Sequence, residues 1–121
     1  MIKKVLVFGT FDGLHEGHLD LFRQARQFGD YLVTVVARDS TVLKNKGKHP
    51  KFGETERLQK VKEYELVNEA LLGTENHDTK NDRYEIIKTI NPDVVCLGYD
   101  QAQFAQKLAR ELAEWYLQNK K

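Results

Sequence analysis

Two histidines three residues apart are the side chains in this sequence best suited to chemistry. His15 and His18 lie in the stretch GTFDGLHEGH, residues 9–18, which follows an apolar run and opens a segment with apolar residues at helical spacing. This pattern predicts a junction between a strand and a helix. The first turn of a helix has unpaired N–H groups and a positive dipole end, and Gly13 and Gly17 allow a close approach to the backbone. The two imidazoles therefore predict two side-chain donors for one phosphate.

The same spacing has two other interpretations. Surface histidines can simply cap a helix, and an H-x-x-H pair can also supply two ligands of a metal ion. A metal site needs at least a third ligand, and His49 and His77 lie in predicted loops without a matching partner. The surrounding glycines fit neither the G-x-G-x-x-G spacing of dinucleotide-binding folds nor a P-loop. The spacing by itself leaves capping, phosphate binding and metal binding open.

Length and composition limit the class of protein. At 121 residues the chain is expected to form a single domain, residues 1–121. Its 19 basic and 18 acidic residues give a net charge of +1, which disfavours a dedicated partner of nucleic acid or of membrane surfaces. The apolar run near the start is too short for a signal peptide, and no stretch is long enough to span a bilayer. Cys96 lies in an apolar run and is expected to be a packed core thiol, so we expect a cytoplasmic protein.

Strand-like and helix-like segments alternate along the chain, which predicts an α/β fold with a parallel sheet covered by helices on both faces. Gly29 is expected to cap the first helix, and a lysine-rich stretch at 38–52 is expected to be a loop. The patterns predict strands at 3–8, 31–37, 69–72 and 93–97, and helices at 17–28, 55–64, 84–90 and 101–118.

Polar residues follow three of these strands. They are GTFDG after the first strand, ARD after the second and GYD after the fourth. Ligands of such sheets bind at the carboxyl ends of the strands, so we expect the site there. Asp12 and Asp39 are expected to contact an acceptor or metal, or Asp12 to orient the adjoining turn, with a helix N-cap as the alternative for each. Asp100 is expected to face the site.

The stretch GTFDGLHEGH resembles the G-x-F-D-x-x-H-x-G-H signature of the cytidylyltransferase-like nucleotidyltransferases. These enzymes transfer a nucleoside monophosphate from CTP or ATP to a phosphorylated acceptor and release pyrophosphate. The likeness continues through QARQFGDYLVTVVARD, the lysine loop and LGYDQ. Three features are similar to those of archaeal-type FAD synthetases, which adenylylate FMN. They are ARDSTVLKNKGKHP, Arg57 with Leu58, and LGYDQ. The general architecture is equally similar to glycerol-3-phosphate cytidylyltransferases, which use CTP and glycerol 3-phosphate.

The resemblance implies a Rossmann-like, doubly wound sheet and a role for each matching residue. His15 and His18 would hydrogen-bond the triphosphate and stabilise the transition state, while Lys44 or Lys46, and Arg57, would neutralise phosphates. Mg²⁺ is expected to arrive with the triphosphate rather than in a dedicated protein cage. The nucleotide would also contact Gly9, Thr10, Phe11, Gly17, Gly98 and Asp100.

The end of the chain departs from the family pattern. Family members continue into a further strand and a helix whose N-terminus carries an I-S-S/T-T-like motif, and nothing after Asp100 resembles it. We therefore expect a domain lacking that strand and helix, and keep a nucleotide-binding module without turnover as the alternative of another class. An exposed fourth strand would favour a homodimer.

Overall fold

The computed structural model describes residues 2–73 and 79–96 of the 121-residue chain. Strands and helices alternate as the sequence predicts. The elements are β1 Lys4–Gly9, α1 Glu16–Arg26, β2 Tyr31–Val36, α2 Asp39–Lys46, α3 Glu54–Lys62, β3 Glu69–Leu72, α4 Thr79–Ile90 and β4 Val94–Cys96.

All pairings within the sheet are parallel, and the strand order is β3-β2-β1-β4. The chain moves outward from β1 through β2 to β3 and then returns past β1 to form β4. The direction of winding therefore reverses between β1 and β4, where open α/β sheets form a ligand crevice outside the carboxyl ends of the strands. The predicted doubly wound sheet is confirmed.

The apolar residues of β1 alternate between two cores. Val5 and Val7 face the core that includes Phe22 of α1 and Val61 of α3. Leu6 and Phe8 face the second core, which holds Ile86 and Ile87 of α4. Helices thus cover both faces of the sheet, and this is why β1 reads as an uninterrupted apolar run.

Cys96 lies at the end of β4 and packs against the core shared by α1 and α3. Burial raises the pKa of its thiol. A thiol whose pKa is raised stays protonated at neutral pH and is a poor nucleophile, in agreement with the predicted packing role.

The stretch 38–52, predicted as a loop, is helical over its first half. α2 covers Asp39–Lys46 and ends at Gly47, whose φ of 74° is left-handed. At the start of α2, Glu54 Oε1 accepts a hydrogen bond from the Asp39 N–H at 2.9 Å. Because Glu54 is 15 residues away, the composition of the stretch does not reveal this support.

Gly29 does not cap α1. The helix ends at Arg26, and the following Gln27 keeps a right-handed conformation. A Cβ on Gly29 would lie 2.5 Å from the carbonyl oxygen of Lys3, so the glycine permits close packing against the chain before β1. α4 starts earlier than predicted, and Asn91 ends it with a left-handed φ of 53° before Pro92.

Two predictions fall outside the described residues. They are the last helix at 101–118 and the polar turn after β4 that contains Gly98 and Asp100. Within the described ranges, no helix has the length and apolar character needed to cross a membrane.

Candidate active site

The turn after β1 is shaped by an aromatic ring. Phe11 has a left-handed φ of 54°, and its side chain is only 3% exposed. A Cβ on Gly9 would come within 2.6 Å of this ring, so glycine at position 9 makes room for Phe11. The ring also meets His18 edge-on, with centroids 5.2 Å apart. Burial of the Phe11 side chain leaves its backbone as the part that can contact a nucleotide.

The two histidines cap the N-terminus of α1. His15 Nδ1 accepts a hydrogen bond from the Gly17 N–H at 3.0 Å, and His18 Nδ1 accepts one from the His15 N–H at 3.4 Å. The two rings stack with their centroids 3.9 Å apart and an interplanar angle of 27°. This arrangement is a capping box in which imidazoles replace the usual hydroxyl and carboxylate. The capping interpretation is confirmed.

Capping also defines which nitrogen of each ring carries the proton. A ring nitrogen that accepts a hydrogen bond from an amide has no proton, so each neutral imidazole is protonated at Nε2. Both histidines can therefore present an N–H donor while their Nδ1 atoms hold the backbone. The two donors lie at the positive end of the α1 dipole, where an anion is stabilised. Capping and phosphate binding are thus compatible functions of the same pair.

Gly17 serves the same pair. A Cβ at this position would lie 2.8 Å from Cε1 and 3.0 Å from Nδ1 of His15. Even alanine would push the imidazole out of its stacked position. The glycine expected to let a ligand approach the backbone makes room for a histidine ring.

The two candidate lysines share the last turn of α2. Lys44 and Lys46 are both exposed. Residues two apart in an α-helix point about 200° from each other, so one helix face cannot present both. The positive charge of Lys46 is among those that lower the pKa of Asp12, in the turn before the histidines. Lys46 is thus the lysine whose charge acts on that turn.

Asp12 links that turn to the segment before α3. Its Oδ2 accepts from the Lys51 N–H at 2.7 Å and its Oδ1 from the Phe52 N–H at 2.8 Å. Partial burial by itself raises the pKa of this carboxyl, but the two amide hydrogen bonds and the charges of Arg57 and Lys46 outweigh it and hold the pKa below its ordinary value. A contact of Asp12 with acceptor or metal stays a prediction, and its observed partners are backbone amides.

Arg57 contacts protein oxygens in this structure. Its side chain has 0% exposure, and one of its partners is Asp39 Oδ1 at 2.7 Å, whereas the Asp39 side chain is 40% exposed. Three backbone carbonyls accept its other hydrogen bonds. The predicted contact of Arg57 with phosphate remains untested, and the buried guanidinium points instead to a role within the protein.

Arg38, which follows β2, and Glu54, the first residue of α3, were given no role of their own by the sequence. Arg38 donates from Nε to the carbonyl of Gly73 at 2.6 Å and from a terminal nitrogen to Glu54 at 3.3 Å. Glu54 in turn holds the start of α2. The sequence did not reveal these contacts, because they arise where β2, β3 and α3 meet in space.

Metal binding by the histidine pair would require further ligands close to it. Over residues 2–73 and 79–96, no group of three or more His, Cys, Asp or Glu side chains is placed to hold a metal ion. Among these described residues, the observed partners of the two Nδ1 atoms are the backbone N–H groups of the helix cap.

This turn, with its stacked histidines at a helix N-terminus, lies at the crevice of a doubly wound sheet. The sequence pattern of the cytidylyltransferase-like family matches residues 6–120, nearly the whole chain. The chain belongs to the cytidylyltransferase-like family. It is a nucleotidyltransferase, as the family assignment and its curated relatives indicate.

Curated relatives of this cytidylyltransferase-like chain include proteins named FAD synthase. One from Methanosarcina barkeri is 45% identical over 92% of this chain and 75% of its own length. Another, from Methanococcoides burtonii, is 44% identical over 92% of this chain and 73% of its own length.

A solved structure supports the fold. It is described as a lipopolysaccharide core biosynthesis protein from Thermoplasma volcanium GSS1 and matches with a TM-score of 0.74 at 37% identity, covering 91% of this chain and 88% of that chain.

Proposed function

We propose that this protein transfers AMP from ATP to the phosphate of FMN, forming FAD and pyrophosphate. The observation that carries the proposal is the capped histidine pair, which offers two Nε2–H donors at the N-terminus of α1. The relatives named FAD synthase support the choice of FMN as the acceptor.

The proposed reaction is an in-line displacement at the α-phosphorus of ATP. A phosphate oxygen of FMN forms the new P–O bond while the bond to the bridging oxygen breaks, and pyrophosphate leaves with that electron pair. A phosphate monoester is already largely ionised at neutral pH, so the acceptor needs no general base. Catalysis then depends on positioning and on donors aimed at the charge that develops on the phosphates. His15 and His18 supply such donors.

The cations of the proposed site come from α2 and from the nucleotide itself. Lys46 supplies a mobile positive charge for the triphosphate, and the same role is kept open for Lys44. A triphosphate brings Mg²⁺, which binds through phosphates, waters and one or two carboxylates. Asp39 fits this requirement, since its carboxylate is 40% exposed with only Oδ1 directed to Arg57. The ion would offset the charge of the leaving pyrophosphate.

The first experiment supplies the purified protein and Mg²⁺ with either ATP and FMN or CTP and glycerol 3-phosphate. FAD and pyrophosphate formed in equal amounts from the first pair support the proposal. Formation of CDP-glycerol from the second pair would instead identify the protein as a glycerol-3-phosphate cytidylyltransferase. Nucleotide binding by calorimetry without product from either pair would favour a binding module without turnover.

The second experiment tests the histidines. His18→Ala removes one donor and one cap, and loss of a comparable single donor in an enzyme costs about 10²–10³ in kcat. His49→Ala is the matched control, because His49 is an exposed histidine outside the capped turn. Equal FAD formation by the H18A variant and the wild type would exclude the proposed role of His18.

A homodimer is part of the same proposal. β4 is an outer strand among the four that the structure describes, and outer strands carry ladder groups available for pairing. Light scattering at micromolar concentration should give twice the chain mass. A single-chain mass at every concentration would rule the dimer out.

A further inference from the structure

Three segments of the proposed site meet at one buried guanidinium. Arg57 donates from Nε to the Phe52 carbonyl at 2.8 Å, and from one terminal nitrogen to the carbonyls of Thr10 at 2.9 Å and Ala37 at 2.6 Å. Its other terminal nitrogen donates to Asp39 Oδ1 at 2.7 Å. The three segments are the turn after β1, which contains Thr10, the stretch 37–39 from the end of β2 into α2, and Phe52, two residues before α3.

The geometry of this contact suits arginine alone. The five N–H donors of a guanidinium lie in one plane at fixed angles. Four of those of Arg57 each meet a different protein oxygen. Two of these oxygens lie 47 and 20 residues from Arg57 along the chain, at Thr10 and Ala37. A lysine ammonium is a point donor on a flexible stem and cannot hold the same four acceptors in register.

Arg57 is also linked to Asp12 through Phe52, and we call these three residues the circuit. Phe52 accepts from Arg57 with its carbonyl and donates to Asp12 with its N–H. Asp12 directly follows Phe11, and the turn that contains it leads into the histidine cap. A Cβ on Gly13 would lie 3.3 Å from the Phe52 ring, so the ring also packs against this turn. The turn is therefore held at two points. Arg57 bonds its Thr10 carbonyl, and the Lys51 and Phe52 N–H groups bond its Asp12 carboxylate.

We infer that Arg57 is a positioning residue that fixes the histidine turn and the Asp39 end of α2 in one geometry, instead of binding phosphate. Arg57 acts on the reaction through the carbonyl of Thr10 and the carboxylate of Asp39. The kinetic part of this inference rests on the proposed adenylylation. The structural part concerns the circuit of Arg57, Phe52 and Asp12 and is measurable without substrate.

The kinetic experiment compares Arg57→Lys and Arg57→Gln with the wild type. A misplacement of about 1 Å in catalytic groups costs on the order of 10²-fold, so both variants should lose about 100-fold in kcat, with the KM for ATP changed by less than about threefold. The kcat of R57K should be no higher than that of R57Q. Wild-type-like kcat in R57K, or a loss confined to the KM for ATP, would overturn the inference, because either result is expected of a cation on phosphate.

Val61→Ala is the matched control for loss of packing. Val61 lies one turn further along α3 and is fully buried, but it belongs to the core beneath the sheet rather than to the circuit. The V61A variant should lower the Tm while keeping kcat within about twofold of the wild type where the protein is folded. A 100-fold loss of kcat in V61A as well would assign the effect to general destabilisation and overturn the inference.

Hydrogen exchange provides the readout that needs no turnover. The N–H groups of Lys51 and Phe52 bond Asp12, and the Ala37 N–H bonds the Gly9 carbonyl at 2.9 Å. R57Q should speed exchange at these three amides and leave the amides within β1 and β2 protected. Unchanged exchange at all three would refute the positioning role. If the wild type makes no FAD, the proposed function fails and exchange alone decides this inference.

Asp12→Asn covers the case in which both Arg57 variants fail to fold. Asp12 now accepts hydrogen bonds from two backbone N–H groups, and the substitution places a donor NH₂ group against one of them. It therefore breaks the circuit while Arg57 is kept. D12N should raise exchange at Lys51 and Phe52 and lower kcat at least tenfold. Wild-type exchange and kcat in D12N would overturn the inference.

Discussion

The glycines of the signature turn make room for the protein's own rings. Gly9 leaves space for the Phe11 ring and Gly17 for the His15 imidazole, with prospective Cβ contacts of 2.6 and 2.8 Å. Phe11 in turn packs edge-on against His18. The signature therefore encodes a small packed unit of two imidazoles and one phenyl ring, and the positions of Gly9 and Gly17 follow from its sterics.

Gly17→Ala tests this unit. The added methyl group should displace the His15 ring and weaken its cap on α1, so kcat is expected to fall about tenfold to 100-fold. The Tm should change little, because alanine is the better helix former at an exposed position and offsets the weaker cap. FAD formation and thermal unfolding measure the two effects. Glu16→Ala, at the neighbouring exposed position, is the control, and unchanged kcat in the G17A variant would contradict the steric argument.

The carboxyl of Asp12 makes part of the stability dependent on pH. The pKa of this carboxyl in the folded protein lies below its ordinary value of 3.8, so folding favours the ionised form. This stabilisation is present above about pH 5 and is lost as the pH falls through 3.8 to the folded pKa. At pH 7, Asp12→Asn should lower the free energy of unfolding by about 1–3 kcal/mol, since charge-assisted hydrogen bonds are lost.

Urea titrations from pH 7 to pH 3 check this expectation. The difference in unfolding free energy between the wild type and D12N should be constant from pH 7 to about pH 5 and then shrink progressively toward pH 3. A difference that stays constant across this range would show that the Asp12 carboxylate does not contribute through its charge.

At the scale of elements, α2 is a short helix supported from outside its own sequence. At its first residue, Asp39, the N–H group donates to Glu54 and the carboxylate accepts from Arg57. At its other end, Gly47 ends the helix in a left-handed conformation. We expect these supports to set the rotation of the helix about its axis. The rotation decides which of its two exposed lysines is directed to the histidine turn.

Lys46→Ala and Lys44→Ala separate the two lysines. Because they lie about 200° apart around α2 and the charge of Lys46 acts on Asp12, K46A should raise the KM for ATP about tenfold or more. K44A should change it less than about threefold. Steady-state kinetics with FMN saturating measures both values. Equal effects would mean that α2 unwinds or turns when the triphosphate binds.

At the scale of the whole molecule, the sheet places the described residues of the proposed site at the carboxyl ends of its strands. The turns after β1 and β2 and the start of α3 meet there because the strands are parallel and in register from Lys4↔Tyr31 to Gly9↔Val36. The centre of the sheet is almost wholly apolar. Thr34 is the exception: it has 0% exposure, and its hydroxyl has no hydrogen-bond partner in the described structure.

Thr34→Val should stabilise the protein. Valine has nearly the same shape and leaves no polar atom unpaired in the core, so the free energy of unfolding should rise by about 1–2 kcal/mol. FAD formation should stay at the wild-type level. Chemical denaturation measures the gain, and Thr55→Val at an exposed position serves as the control with an expected change within about 0.5 kcal/mol. A destabilised T34V variant would point to a partner for the hydroxyl.

Much of this architecture follows from sequence pattern. Continuous apolar runs mark β1 and β2 because both faces of these strands are buried, and the spacing of His15 and His18 places them together on the first turn of a helix. The start of α2 and the true role of Gly29 were missed. Both depend on contacts with residues at least 15 positions away, which local composition does not carry.

The sequence by itself determined the chemical groups and their order: an imidazole pair after a buried strand, lysines after the second strand, and an arginine on the following helix. Tertiary structure alone decided what those groups face. It turned both Nδ1 atoms toward backbone amides, buried the Arg57 guanidinium among four oxygens and directed both oxygens of Asp12 to the chain. The physical reason is that hydrogen-bond partners are chosen by proximity and burial, which exist only after β1, β2 and α3 have packed together.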